Sequence, residues 1–348
     1  MPFEPTERVA LGRTGLEVTR LGFGSAPIGG LFSAVSDEAA IATVDRAWDL
    51  GIRTFDVAPL YGYGAAERRL GAALAGRPRA DFVVSTKVGR LVRREDEIGR
   101  ADEVDPQAID GREDAFYVRS EPVRMVFDFS ADGVRRSIDD SLGRLGLDRI
   151  DIALIHDPDD HWEAAIGQAY PALARLREEG VIRAVGAGMN QSAMLARFAR
   201  EGDFDVFLLA GRYTLLDQEA LVELLPLCQE RGVAILMAGV MNSGVLADPK
   251  PGSHFNYVQA DPAIVERARR LAAICEHHDV PLRAAAVQFP LAHPTATSVI
   301  AGVRRIEHLD EYPAFLRLPI PDDLWAELRA EALLDPAAPV PSSGEVTS

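Results

Sequence analysis

The chain has 348 residues, 47% of them apolar, which is enough for one large α/β domain with a sizeable core. Its formal net charge of −16 argues against a nucleic-acid or anionic-membrane partner, because binding to phosphate requires a basic surface. Two widely separated cysteines, Cys228 and Cys275, form no disulfide framework, and neither a signal peptide nor an apolar run long enough to span a membrane is recognisable, so the sequence predicts a cytoplasmic protein.

The first predicted elements are two short alternating segments around residues 13–15, which indicate a β-hairpin. From residue 21 onwards, short apolar strands alternate with amphipathic helices. The predicted helices include 37–50, 65–75 and 131–145, and the predicted strands are 21–24, 54–57, 82–86, 150–155, 182–185, 205–209, 233–237 and 298–300. Continuous apolar strands are typical of a parallel sheet that is covered by helices.

Eight strand–helix units of this kind predict an α/β fold, a closed (β/α)8 TIM barrel, with an open doubly wound sheet as the alternative. We expect one domain over residues 1–335. The long, charged connection at 89–128, after the third strand, is interpreted as a lid on the substrate side. Residues 336–348 are rich in Pro, Ser and Ala and are expected to form a disordered C-terminal tail.

Four side chains that can hold or move a proton stand at the ends of consecutive predicted strands. Asp56 ends the second strand with Tyr61 five positions later, Lys87 ends the third strand, and His156 ends the fourth. Each of them alone also fits an ordinary structural role in a loop, a turn, a solvated surface or the core. Because the C-terminal ends of parallel barrel strands form one face, we expect the four groups to meet there.

The chemistry of this set follows from its ionisable groups. A phenol titrates near pH ~10, and we expect the Lys87 ammonium to lower the pKa of Tyr61 so that it can act as the acid/base. Asp56 would hold Lys87 as its ion-pair partner, while a neutral His156 would orient a substrate oxygen. The set therefore predicts proton transfer at a carbonyl or alcohol carbon.

The segments "FDVAPLYGYG", "VVSTKVG" and "LIHDPDD" resemble, in order and spacing, the motifs of the aldo-keto reductase superfamily. The resemblance implies a (β/α)8 barrel, an extended nicotinamide dinucleotide, and a catalytic tetrad formed by Asp56, Tyr61, Lys87 and His156. "GAGMNQSAML" and "AAAVQFPLAHP" are similar to the branch of aldose 1-dehydrogenases, which includes L-fucose and D-threo-aldose dehydrogenases and has pyridoxal 4-dehydrogenase as a near relative.

The glycine-rich segments of the chain do not match the G-x-G-x-x-G fingerprint of a Rossmann phosphate turn. Barrels bind phosphate with the loops after strands seven and eight, here 241–246 and 301–311. The candidate cofactor contacts in these loops are Ser243, Gly244, Leu246, Gly302, Arg304 and Arg305. The two arginines precede a predicted helix, a suitable place for a pyrophosphate or ribose phosphate, although solvated surface charges are the alternative.

The resemblance implies further cofactor contacts. Asn190 corresponds to the carboxamide-binding Asn, and Gln218 is expected only to cap a helix. Residues 239–240 are Gly-Val where many relatives stack an aromatic ring on nicotinamide, which leaves Tyr213 as a candidate if its loop reaches the site. His308 occupies the position of an arginine for the NADP 2′-phosphate, so NAD and NADP both stay open, with a preference for NAD.

No metal site is predicted, because the histidines outside the tetrad show neither H-E-x-x-H nor paired-cysteine spacing. These histidines are His161, His254, His277, His278, His293 and His308.

The main hypothesis is an NAD(P)-dependent oxidoreductase that oxidises C1 of a neutral sugar such as L-fucose, L-galactose or D-arabinose to the lactone, with Tyr61 as acid/base. A pyridoxal 4-dehydrogenase and a general aldehyde or ketone reductase are alternatives. A lyase that uses Lys87 as a Schiff base and a non-catalytic, dinucleotide-sensing module are less favoured, since neither explains Asp56 and Tyr61. The sequence leaves the oligomeric state open.

Overall fold

The computed structural model describes residues 2–106, 117 and 122–342. Its strands are β1 (Arg8–Ala10), β2 (Glu17–Thr19), β3 (Leu21–Gly24), β4 (Thr54–Asp56), β5 (Val83–Arg94), β6 (Glu103–Val104), β7 (Val123–Asp128), β8 (Ile152–His156), β9 (Ala184–Met189), β10 (Val206–Ala210), β11 (Ala234–Ala238), β12 (His254–Phe255), β13 (Val258–Gln259) and β14 (Ala296–Gly302).

The helices pack mainly outside these strands. They are α1 (Asp37–Asp49), α2 (Ala65–Leu74), α3 (Ala131–Leu145), α4 (Trp162–Ala164), α5 (Tyr170–Glu178), α6 (Ser192–Glu201), α7 (Leu224–Arg231), α8 (Pro262–His277), α9 (Leu282–Leu291), α10 (Ile306–Arg317) and α11 (Asp322–Ala330). A π-helical segment, Ala165–Ala169, joins α4 to α5.

Eight parallel strands close into a barrel. Around the ring they follow the order β3, β4, β5, β8, β9, β10, β11 and β14, and β14 pairs with β3 to complete it. All eight sequence-predicted strands are present, so the prediction of a (β/α)8 barrel is confirmed; their ends differ by at most four residues, except that β5 continues eight residues beyond its predicted end. The β1–β2 hairpin predicted around residues 13–15 is also present.

The apolar core has two parts because the barrel strands are buried on both faces. One cluster lies between the strands and the surrounding helices. The other fills the barrel interior, where Leu154 and Leu236 pack in the same cluster as Leu11 and Val18 of the N-terminal hairpin. The hairpin therefore plugs the N-terminal end of the barrel, and the opposite end is left for chemistry.

The connection predicted as a lid is partly regular structure. β5 continues beyond the barrel to Arg94, pairs antiparallel with β7, and β7 pairs with β6 on its other edge. The prediction of an irregular loop over 89–128 is wrong for these strands, since their many charges mask the β pattern. Residues 107–116 and 118–121 lie outside the described residues, and the placement of this ribbon over the substrate stays a prediction.

The chain after α11 continues to contact the barrel. Ala338 is buried in the core cluster, and its carbonyl accepts a hydrogen bond from Arg329 at 2.7 Å. The tail that the sequence predicts to be disordered from residue 336 thus contacts the barrel at Ala338. Residues 343–348 lie outside the described residues. Among the described helices, none combines the length and apolarity needed to cross a bilayer.

Candidate active site

The barrel brings the predicted strand-end groups together at its C-terminal face. Tyr61, Lys87 and His156 line one cavity of about 240 Å³. Asp56 is not part of the lining, but its Oδ2 accepts a hydrogen bond of 2.8 Å from Lys87 Nζ. Lys87 does not end its strand, because β5 continues to Arg94, but it pairs in register with Leu154 near the end of β8. The parallel strands therefore bring groups from three strands to the same end of the barrel.

Lys87 and Asp56 form a buried ion pair. Lys87 Nζ donates to Asp56 Oδ1 at 2.9 Å and Oδ2 at 2.8 Å, and to the carbonyl oxygen of Val57 at 3.0 Å. The hydroxyl of Ser85 also donates to Asp56 Oδ1. Since an ammonium has three N–H donors, these contacts use all of them, and none is left for the Tyr61 hydroxyl.

This arrangement reverses the expectation for Tyr61. Lys87 Nζ lies 4.8 Å from the centroid of the Tyr61 ring, over its face. Burial raises the pKa of Tyr61 well above its usual value, and the charge of Asp56 adds to the effect. The expected lowering by Lys87 is therefore wrong in this geometry, because the Asp56 carboxylate offsets the ammonium. The Tyr61 hydroxyl therefore keeps its proton at neutral pH.

His156 has the neutral form that the sequence predicts. Burial lowers its pKa well below 6.5, and the nearby cations Arg90 and Lys87 act in the same direction. Its ring stands edge-on to that of Tyr61, with centroids 5.9 Å apart. His156 Nδ1 is buried and has no hydrogen-bond partner among the described residues, while Nε2 lies 3.5 Å from Asp157 Oδ2.

Asn190 lines the same cavity, as expected for a carboxamide-binding residue. Its backbone carbonyl accepts a hydrogen bond of 2.7 Å from Arg212 Nε, and Arg212 is held in turn by Asp217 at 3.2 Å. Because these contacts use only the backbone of Asn190, its side-chain amide is available to a ligand. The chemistry of this position fits a nicotinamide carboxamide.

Sequence reasoning missed three ionisable residues of the cavity lining, namely Tyr117, Asp157 and Tyr257. Tyr117 lies between β6 and β7, forms an isolated antiparallel bridge with Leu31, and has its ring centroid 5.9 Å from that of Tyr61. Tyr257 lies at the tip of the β12–β13 hairpin, where its N–H donates to Ser243 Oγ at 3.0 Å. The available signal was aromatic residues in each of two polar segments and a carboxylate directly after His156, which is weak without the fold.

The first predicted phosphate loop, 241–246, is a tight turn. Ser243 and Gly244 have positive φ angles of 58° and 103°, and Gly244 N donates to the carbonyl oxygen of Met241 at 2.9 Å. The Leu246 side chain is fully buried in the core and presents no surface to a ligand. Cofactor contacts from this loop stay a prediction, and for Leu246 they would have to involve the backbone.

The second predicted phosphate loop fits an anionic group better. Gly302, Arg304 and Arg305 are exposed immediately before the N-terminus of α10. Arg304 donates to the Ser33 hydroxyl, and Arg305 Nη2 lies 2.8 Å from His308 Nε2. Two exposed guanidinium groups beside the N–H groups of a helix terminus form a suitable donor set for the pyrophosphate of a dinucleotide.

Two subsidiary expectations are wrong. Tyr213 is only 1% exposed and packs against Phe289 with ring centroids 4.9 Å apart, so it belongs to the core and not to the cavity. Gln218 does not cap a helix with its side chain. Its amide donates to the carbonyls of Thr214 and Leu215, and its Oε1 accepts from the backbone N–H of Asp335.

Away from the cavity, the ends of α8 and α11 bring His277, His278 and Glu327 together, with possible ligand atoms within 4.8 Å of one another. Glu327 Oε2 lies 2.8 Å from His278 Nε2 and 3.1 Å from His277 Nδ1. These contacts form a mutually satisfied hydrogen-bonded cluster. The absence of a metal site stays a prediction.

A model of the Aldo/keto reductase family matches residues 20–332. The chain belongs to this family. It is 46% identical over 330 residues to a D-threo-aldose 1-dehydrogenase from a Pseudomonas species, a match that covers 94% of this chain and 98% of that relative. It is 44% identical over 345 residues to a pyridoxal 4-dehydrogenase from Microbacterium luteolum, covering 96% of this chain and all of the relative.

Among solved structures, an aldo-keto reductase from Bacillus halodurans in its holo form superposes with a TM-score of 0.72. The two chains are 25% identical, and the match covers 96% of this chain and 98% of the other. The aldo/keto reductase described here is thus an NAD(P)-dependent oxidoreductase.

Proposed function

We propose that this aldo/keto reductase oxidises C1 of a neutral aldose, of the L-fucose, L-galactose or D-arabinose type, to the corresponding lactone. The observation that carries the proposal is the convergence of Tyr61, Lys87, His156 and Asn190 on one cavity. The identity of 46% to an aldose 1-dehydrogenase supports the choice of substrate class.

The reaction removes a hydride from C1 and a proton from the anomeric hydroxyl, which leaves the lactone carbonyl. A bound nicotinamide dinucleotide supplies the hydride acceptor. Tyr61 takes the hydroxyl proton, and the neutral His156 hydrogen-bonds the same oxygen and fixes its position. Because burial raises the pKa of Tyr61, its deprotonated fraction is small at neutral pH, and alkaline conditions favour oxidation. The protonated phenol serves the reverse reduction directly.

A Schiff-base lyase is less well supported. A lysine that forms a Schiff base must present a neutral amine, often after desolvation without a carboxylate partner. Lys87 instead donates to both oxygens of Asp56 and to Val57, contacts that stabilise its ammonium form. The Asp56–Lys87 pair therefore fits an electrostatic role beside Tyr61 better than nucleophilic attack.

For the cofactor we propose NAD in preference to NADP. In the resemblance to the family, His308 stands where an arginine would bind the 2′-phosphate, and it is already in contact with Arg305. We also propose a cytoplasmic location, which the two buried free thiols, Cys228 and Cys275, support.

The test is Tyr61→Phe, assayed with NAD or NADP against neutral sugars, sugar phosphates, pyridoxal and simple aldehydes. We expect neutral sugars to be oxidised best by the wild-type protein and turnover to fall at least about 10²-fold in the variant, while dinucleotide binding, followed by fluorescence, is retained. Tyr312→Phe, which removes a buried hydroxyl outside the cavity, is the control.

Full turnover in Tyr61→Phe would contradict the proposed acid/base. Preferential oxidation of pyridoxal by the wild-type protein would instead favour the pyridoxal 4-dehydrogenase alternative, to which the second relative is close. A borohydride-stable adduct of substrate on Lys87, detected by mass spectrometry in an active Tyr61→Phe variant, would favour the lyase.

A further inference from the structure

Asp157 places a carboxylate in the lining of the cavity that holds Tyr61 and His156. It directly follows the last residue of β8 and has a φ of 37°. This is a left-handed backbone conformation that few residues other than glycine, asparagine and aspartate adopt. Its N–H donates to the carbonyl of Gly188 on β9 at 3.1 Å. The neighbouring strand therefore holds the turn that positions this carboxylate at the cavity wall.

The charge of Asp157 is available to a ligand, unlike that of Asp56. Asp56 is neutralised by Lys87, whereas the ion-pair contact of Asp157 within the described residues is with His156 Nε2 at 3.5 Å, and that imidazole is neutral. The nearby Arg90 guanidinium is bonded to Asp105 and to the carbonyl of His156. The Asp157 side chain keeps 28% of its surface exposed.

A carboxylate in this position discriminates among substrates. It has two acceptor oxygens and no donor, so it pairs with the hydroxyl groups of a sugar and repels a carboxylate or phosphate. The rings of Tyr117 and Tyr257 line the same cavity and provide surfaces against which the C–H faces of a sugar ring can pack.

We propose that Asp157 is a specificity-determining residue, whose carboxylate accepts hydrogen bonds from the ring hydroxyls of an uncharged aldose and excludes anionic sugars. This inference rests on the proposed function, because it names the substrate class of the same cavity. It assigns to Asp157 no proton transfer, which belongs to Tyr61.

The charge state of Asp157 gives the proposal a pH signature. Burial raises its pKa to about 6, and the charge of Asp159 acts in the same direction. The groups that oppose the shift or face the carboxylate from the surrounding elements are Arg90, Lys87, the backbone N–H of Asn190, His156, Tyr61 and Tyr257. Asp157 is therefore charged at pH 8 and neutral at pH 5, and discrimination against anions should weaken as the pH falls through about 6.

The experiment compares L-galactose with L-galacturonate, which remains anionic between pH 5 and 8. The quantity measured is the ratio of their kcat/KM values, in which the titration of the shared acid/base cancels. In Asp157→Asn, which keeps the shape and removes the charge, we expect this ratio to fall about 10- to 100-fold at pH 8, as for the loss of a charge-assisted hydrogen bond. Asp160→Asn, which changes an exposed carboxylate three residues further on, should keep the wild-type ratio.

The wild-type ratio should also fall between pH 8 and pH 5, and the ratio for Asp157→Asn should not. This wild-type measurement tests the proposal even if the variant does not fold. An unchanged ratio in a folded Asp157→Asn variant, or a pH-independent ratio in the wild-type protein, would overturn the role of Asp157 alone. Failure of the wild-type protein to oxidise any neutral aldose would overturn the proposed function and this inference with it.

Discussion

Replacing Lys87 by methionine should destabilise the protein by leaving a charge buried. The side chains of Lys87 and Asp56 are 1% and 4% exposed, and Nζ lies 2.8 Å from Oδ2. Methionine preserves most of the length of lysine and removes its charge. The Asp56 carboxylate would then retain the hydroxyl of Ser85 as a hydrogen-bond donor, without a cation in contact.

The magnitude follows from two limits. Removing one partner of a buried ion pair typically costs about 3–5 kcal/mol of unfolding free energy. The remaining carboxylate can take up a proton instead, and for an aspartate that titrates near pH 3.9 when free, this costs about 4 kcal/mol at pH 7, at about 1.36 kcal/mol per unit. We therefore expect a loss of about 3–4 kcal/mol at pH 7.

The cost of protonating Asp56 also sets the pH dependence of the loss in stability. At pH 5 proton uptake costs only about 1.5 kcal/mol, so the deficit of the variant should shrink to that value or less. The deficit shrinks as the pH falls because Asp56 is protonated in the folded variant and mostly ionised in its unfolded chain. Lowering the pH from 7 to 5 therefore raises the free energy of unfolding of the variant relative to that of the wild-type protein.

The assay is equilibrium urea unfolding at pH 7 and pH 5, followed by tryptophan fluorescence, without added dinucleotide. Lys250→Met, in an exposed pair with Asp248, should lose less than about 1 kcal/mol. The double variant Asp56→Asn/Lys87→Met should recover at least half of the loss, since neither charge remains. A loss below about 1 kcal/mol for Lys87→Met at pH 7, or a double variant as unstable as the single one, would refute this reasoning.

Three further outcomes are expected. Because burial raises the pKa of Tyr61, kcat/KM for oxidation should increase about tenfold per pH unit between pH 7 and 9, and a plateau at neutral pH would contradict this. Changing Arg304 and Arg305 together to Ala should weaken dinucleotide binding by about 1.5–3 kcal/mol per lost charge-assisted bond, and unchanged fluorescence titrations would remove that phosphate site. Burial raises the pKa values of Cys228 and Cys275 to about 12, so both thiols should react with Ellman's reagent only on unfolding, and rapid reaction in the native protein would contradict their burial.

Local sequence patterns were sufficient for most of the fold. Eight short apolar runs, each followed by an amphipathic helix, specify parallel strands covered by helices, because side-chain periodicity is a property of neighbouring residues. The β5–β7 ribbon escaped prediction because charged residues interrupt its apolar runs without a regular period of two. Arg90 is buried there with Asp105 at 2.8 Å and the carbonyl of His156 at 2.6 Å as its partners, contacts that are made only when the ribbon folds.

The candidate site also contains some residues that were recognisable from local sequence and others that were not. Asp56, Tyr61, Lys87 and His156 were recognisable because each follows a predictable strand, and parallel strands place such positions at one face. Tyr117 is placed at the cavity by an isolated bridge to Leu31, Asp157 by a left-handed turn and Tyr257 by a hairpin tip, and these positions depend on contacts that the local sequence does not show.

The sequence by itself thus determined the barrel, its family and the residue types at the reaction centre. Only the tertiary structure decided their electrostatic state. A pKa depends on burial and on every charge within several ångströms, and the Asp56–Lys87 contact, which joins residues from β4 and β5, pairs the ammonium with a carboxylate. Burial of the phenol and, after it, the charge of Asp56 raise the pKa of Tyr61, where the order of residues along the chain had predicted that it would be lowered.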